Sequence, residues 1–148
     1  MKNIVVFLCV VMFSGAGVMN FLKQKALTGT LDEITLFINF VKTQLRFHSS
    51  DYGNIYEEGR EKGFRYIGFE NNYITLNRCV NSDISSEFES FVNAIGTTDR
   101  EGQLSLCDEY RERFYDRLIR QKSEEKQKIQ VNTALSLFGA LSVIIFFM

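Results

Sequence analysis

Hydrophobic positions fall into three regimes along this chain. Residues 4–22 and 131–148 carry no charged side chain, and between them apolar residues recur at helical spacing. In "TGTLDEITLFINFVKTQLRFH", Leu31, Ile34, Ile38, Val41 and Leu45 are separated by steps of 3, 4, 3 and 4. That is the stripe of an amphipathic helix, widened by Phe37 and Phe40. Thr30 and Glu33 stand at capping-box spacing, so the pattern predicts a helix start there. In "SDISSEFESFVNAIG", Ser82 or Asp83 caps a second clear helix, Ile84, Phe88, Phe91 and Ile95 face inward, and Gly96 provides a left-handed stop. Thr97 or Thr98 caps the restart, with Asp99 and Glu101 placing negative charge at the positive end of the next helix. Cys107, Tyr110, Phe114 and Leu118 form its stripe, and Glu109–Arg113, Asp116–Arg120 and Glu124–Lys128 are favourable i,i+4 pairs. One helix over about 98–148 is expected. Residues 51–80 contain Gly53, Gly59, Gly63 and Gly68, and read as two shorter helices broken near Gly63. Tyr66, Ile67, Phe69, Ile74 and Leu76 supply their packing.

The two uncharged segments change this picture from a soluble bundle to an anchored one. Residues 4–22 extend about 28 Å as a helix, close to the hydrocarbon thickness of a bilayer, and are bounded by Lys2 on one side and Lys23 and Lys25 on the other. A cleaved signal peptide is the alternative, since Ser14 and Ala16 are small enough for a cleavage site. The C-terminal "VNTALSLFGALSVIIFFM" favours the anchor. As a core helix it would need cover on every side, which the remaining residues are too few to provide. Arg120, Lys122, Lys126 and Lys128 precede it, so the positive-inside rule puts residues 23–130 in the cytoplasm. The expected fold class is therefore all-α: an N-terminal transmembrane anchor (1–25), a small cytoplasmic helical domain (26–128) and a C-terminal transmembrane helix (129–148). The last helix is expected to run unbroken into the membrane.

Composition narrows the chemistry. The chain has 148 residues, no proline and a formal net charge of −1, so there is no basic footprint for nucleic acid. Cys9, Cys79 and Cys107 form no even disulfide framework, and Cys79 and Cys107 read as small core residues. "GREKG" lacks the following Lys-Ser/Thr of a phosphate loop, and no G-x-S-x-G or metal-spaced Cys/His cluster occurs. His48, the sole histidine, reads as a helix-end residue. Asp51, Glu57, Glu58 and Glu61 read as a solvated face rather than a cation site. No catalytic, cofactor-binding or metal-binding residue is expected, and no cofactor. Contact with partner proteins is the remaining role. Asp99, Glu101 and Gln103 at the corner are one candidate surface. Arg111, Arg113, Arg117 and Arg120 are the other, because a guanidinium fork suits an acidic partner. Tyr52, Tyr56 and Tyr115 are candidate exposed aromatics for an interface. Gly15 and Gly139 are candidates for close helix packing within the membrane.

The ordered combination of Ile95-Gly96, the Thr97–Asp99 cap, Gln103, the charged run from Asp108 to Lys128 and the terminal "LFGALSVIIFF" resembles the stage III sporulation protein AB family of endospore-forming bacteria. The resemblance covers the chain in outline, with residues 51–80 matching only in being helical. It implies a soluble domain similar to the cytoplasmic domains of the platform protein of type II secretion and type IV pilus systems. It further implies a non-enzymatic scaffold in the mother-cell membrane, assembling the channel between mother cell and forespore. The implied partners are a cytoplasmic secretion-type ATPase and other membrane proteins of the same operon. The alternatives are a helical membrane-anchored regulator of another transport or signalling complex, and an exported helical protein with a cleaved signal.

Overall fold

The computed structural model describes the backbone of residues 2–47, 52–77 and 81–147, with side chains described within 21–131. Among these residues four helices and one β-hairpin follow in the order α1 (Lys2–Phe47), α2 (Tyr52–Lys62), β1 (Ile67–Glu70), β2 (Tyr73–Leu76), α3 (Ser82–Ala94) and α4 (Arg100–Phe147). The chain is mostly helical, as its periodicity predicts, but it is not all-α.

The core follows the apolar stripes. Leu31, Ile34, Phe37, Ile38, Phe40, Val41 and Leu45 of α1 are buried, as are Ile84, Phe88, Phe91 and Ile95 of the α3 segment and Cys107, Phe114 and Leu118 of α4. Phe37 is the hub. Its ring lies 5.6–6.5 Å from those of Phe64, Phe69, Phe88 and Phe91, so it joins the hairpin to α3 across α1. α4 lies antiparallel along α1, and the polar contacts set the register: Thr28–Glu125, Asp32–Lys122 and Lys42–Asp108.

Two expectations about helix boundaries are corrected. No helix begins at Thr30, because α1 runs through it without a break. Thr30 is buried and its hydroxyl donates to the Ala26 carbonyl one turn back, while the Glu33 carboxylate turns away to the hairpin. Gly29 fits within this run because the Tyr66 ring covers it, with ring and hydroxyl atoms 3.0 Å from where a Cβ would stand.

The second half of residues 51–80 is a hairpin rather than a helix. α2 stops where predicted, at Gly63, whose φ of +66° favours glycine. The chain then pairs Ile67 with Leu76 and Glu70 with Tyr73, closing on Asn71 and Asn72 at φ 50° and 68°. Two successive left-handed residues match the twist of a two-residue hairpin loop, and asparagine tolerates that conformation better than most side chains. Ile67, Phe69, Ile74 and Leu76 share one face with a period of two, and that face meets the core.

Gly96 is left-handed at φ +84° with open space around it. Gly96→Ala should therefore cost about 1 kcal/mol through the backbone alone. Gly53, helical and equally open, should gain a few tenths to about 1 kcal/mol as alanine. Urea midpoints of the two variants should move in opposite directions.

Candidate functional site at the corner and along α4

The corner from Gly96 to Gln103 is assembled from its own side chains. Asp99, rather than Thr97 or Thr98, caps α4: its carboxylate accepts the Gly102 N–H at 3.1 Å. The Gln103 side-chain amide reaches back to donate to the Thr98 carbonyl at 2.8 Å, and its backbone N–H bonds the Asp99 carbonyl at 2.9 Å. Asn81 rather than Ser82 or Asp83 caps α3, accepting the Asp83 N–H at 2.9 Å. Sequence reasoning assigned no structural part to Arg100. Its guanidinium donates through Nε to the Leu45 carbonyl at 2.9 Å and through Nη2 to the Arg46 carbonyl. It thereby satisfies backbone acceptors at the C-terminus of α1, where a cation is also favoured by the helix dipole. One residue in the first turn of α4 thus pins the last turn of α1. Glu101 is exposed beside it.

The arginine face divides in two. Arg113 and Arg117 are engaged within the protein. Arg117 stands 2.7 Å from the mostly buried Glu87 carboxylate of α3, and Arg113 pairs with Glu109 at 2.5 Å and approaches Glu87 at 3.9 Å. Arg113 also lies over the Tyr110 ring at 5.4 Å. Arg111 and Arg120 face solvent, Arg111 with Asp108 at 3.6 Å. The predicted pairs Glu109–Arg113 and Glu124–Lys128 form. Of the three candidate tyrosines, Tyr115 is exposed, Tyr52 is half-buried with its hydroxyl 3.5 Å from the Asn72 carbonyl, and Tyr56 is buried against Phe69. Tyr56 is therefore core, not interface.

A groove of about 430 Å³ runs between α1 and α4, lined by Thr35, Asn39, Asp108, Arg111, Glu112 and Tyr115. Asp108 in its lining accepts from Lys42 at 2.5 Å. That bond holds the Asp108 carboxyl below the usual aspartate range, against the smaller opposing effect of burial. Because the folded value is depressed, the associated stability is present above the ordinary aspartate range and fades as pH falls through it. The pair is partly exposed and should contribute about 0.5 kcal/mol. Lys42→Met should lower the urea midpoint at pH 7, with the difference from wild type shrinking as pH falls through the depressed range of Asp108.

Next to the groove, burial pushes the Cys107 thiol up to about 11, with the neighbouring Asp108 charge adding to the effect. A thiol so placed is not a thiolate at neutral pH, which fits its reading as a core residue. Glu57 pairs with Arg60 at 3.0 Å and Glu58 accepts from Gln44, so these carboxylates serve local contacts. Among the described residues no group of three or more His, Cys, Asp or Glu could hold a metal ion. Gly15 and Gly139 fall in the helical backbones of α1 and α4 but outside the residues with described side chains, as do Cys9 and most of the two apolar segments, 4–20 and 132–147. His48, Asp51 and Cys79 lie outside the described residues altogether. Among the described residues no helix is long and apolar enough to cross a membrane.

Compared with family models, curated proteins and solved structures, the chain matches none of them.

Proposed function

We propose that this protein is a membrane-anchored, non-enzymatic scaffold. In this reading residues 26–128 form its cytoplasmic domain, and its task is to hold partners of a sporulation channel or secretion-like complex, including a cytoplasmic ATPase. One observation carries the anchored part of this reading. Because α1 and α4 are antiparallel with Thr28 beside Glu125 and Asp32 beside Lys122, extending the register brings Leu22 level with Val131. Both uncharged segments therefore leave the bundle from the same end and at the same height. Phe21, Leu22, Ile129 and Val131 are exposed there. Large apolar side chains gathered at one end of a helical pair are what a bilayer would cover. The sequence resemblance to the stage III sporulation protein AB family supports the choice of complex, and the corner and the exposed Arg111 and Arg120 are the surfaces offered to partners.

The reading is tested by expressing the full chain in an endospore-forming host. Carbonate-washed membranes should retain it with the intact mass of 148 residues, and a secretion-type ATPase should co-purify from gentle detergent. Loss of about 16 N-terminal residues would instead identify a cleaved signal. Retention without any ATPase would leave an anchored protein of a different complex.

A further inference from the structure

The charge of this molecule is sharply polarised along its length. Residues 20–28 and 125–131 hold four cations against one carboxylate, Glu125. The intervening residues 29–124 hold twelve cations against seventeen carboxylates. The α1–α4 register brings the two basic stretches together, so the sequence asymmetry becomes a spatial one. Lys23 and Lys25 on α1 and Lys126 and Lys128 on α4 are all exposed, within about two turns of the uncharged segments. Glu125 is held by the Thr28 hydroxyl at 3.2 Å, and Glu124 reaches Lys128 only at 3.9 Å.

Resting on the anchored reading above, we infer that these four lysines form a collar that binds the headgroups of anionic phospholipids. Each lysine has an aliphatic stem long enough to lie along the exposed Phe21, Leu22, Ile129 and Val131 while its ammonium reaches the phosphate layer. The acidic body adds a second effect. Surface potentials decay within about 8 Å at physiological salt, so an upright bundle brings only the collar into the field of the bilayer. A bundle lying on its side would bring its excess carboxylates into the same field. Acidic lipid therefore favours the upright posture and leaves the corner at the far end clear of the membrane.

The test uses full-length protein reconstituted with phosphatidylcholine alone or with one third phosphatidylglycerol. Spin-labelled phosphatidylglycerol and phosphatidylcholine report which lipid is held against the protein. The wild type should prefer the anionic label about fivefold at 0.1 M salt, with the preference falling at 0.5 M. The variant with Lys23, Lys25, Lys126 and Lys128 all changed to Gln should show a ratio near one. The variant R60Q/R65Q, altered at exposed positions of the body outside the candidate surfaces, should keep the wild-type ratio. Equal preference by the wild type would overturn the collar, and so would an undiminished preference in the lysine variant. Carbonate-resistant flotation separates this from the anchor itself. A chain that resists carbonate but shows no lipid preference keeps its anchor and loses the collar. A chain stripped by carbonate, yet floating only with anionic vesicles through these lysines, keeps the collar and loses the anchor.

Discussion

Phe37→Ala should destabilise the protein by about 4 kcal/mol, a large part of the stability of a domain this size. The ring is fully buried and touches aromatic neighbours from three separate parts of the chain: Phe64 and Phe69 around the hairpin, Phe88 and Phe91 on α3, and Phe40 on its own helix. Truncation removes the transfer energy of the side chain and leaves a cavity that rigid helices cannot close. The edge-on ring contacts add to the loss, each being worth about 0.5–1.5 kcal/mol beyond area. Phe37→Leu, which fills most of the space, should cost roughly half as much. Urea titration followed by helical circular dichroism would measure both, and an alanine variant within 1 kcal/mol of wild type would remove Phe37 from the centre of the core.

Glu33→Ala should cost about 2–3 kcal/mol, and the loss should begin at the hairpin. The Glu33 carboxylate accepts the backbone N–H groups of Tyr66 at 2.6 Å and Ile67 at 3.2 Å, where β1 starts against α1. Ile67 is buried, so its amide has poor recourse to water once the carboxylate is gone. Glu33→Gln keeps an acceptor oxygen and loses the charge, and should cost about 1 kcal/mol. Hydrogen exchange separates a local from a global effect. The Tyr66 and Ile67 amides of the alanine variant should exchange some thirtyfold faster, while the amides of α3 change less.

Glu33 also marks where reading the sequence reached its limit. The 3–4 spacing of Leu31, Ile34, Ile38, Val41 and Leu45 reports burial faithfully, because a helix face is a local consequence of its own residues. The role of Glu33 depends on residues thirty-three positions away, and a capping-box spacing with Thr30 offered a nearer and misleading partner. Arg100 is similar: its acceptors on α1 lie more than fifty residues earlier. Gln103, marked in the sequence only as a surface candidate, bonds back to the Thr98 carbonyl.

The hairpin was more legible than the reading allowed. "IGFENNYITL" has apolar residues alternating on either side of an asparagine pair, but four-residue strands beside several glycines resemble interrupted helix when judged by hydrophobicity alone. The structure divides the residues of the two candidate surfaces between internal contacts and solvent. Which of their side chains remain free was not legible, because Glu87, which engages Arg113 and Arg117, belongs to another helix.

The long antiparallel pairing of α1 with α4 has a consequence for how the protein is made. Leu45 completes the apolar stripe of α1, yet the facing stripe of α4 ends only at Leu118. At ordinary rates of translation, the intervening residues take about 4–15 s to appear. Until α4 has emerged the stripe from Leu31 to Leu45 is only partly covered, by the hairpin segment at Gly29, Glu33 and Phe37 and by α3 at Phe37. Each nascent chain thus passes through a window of several seconds in which a holding chaperone, or on the anchored reading proposed above a membrane around the first segment, would decide between folding and aggregation.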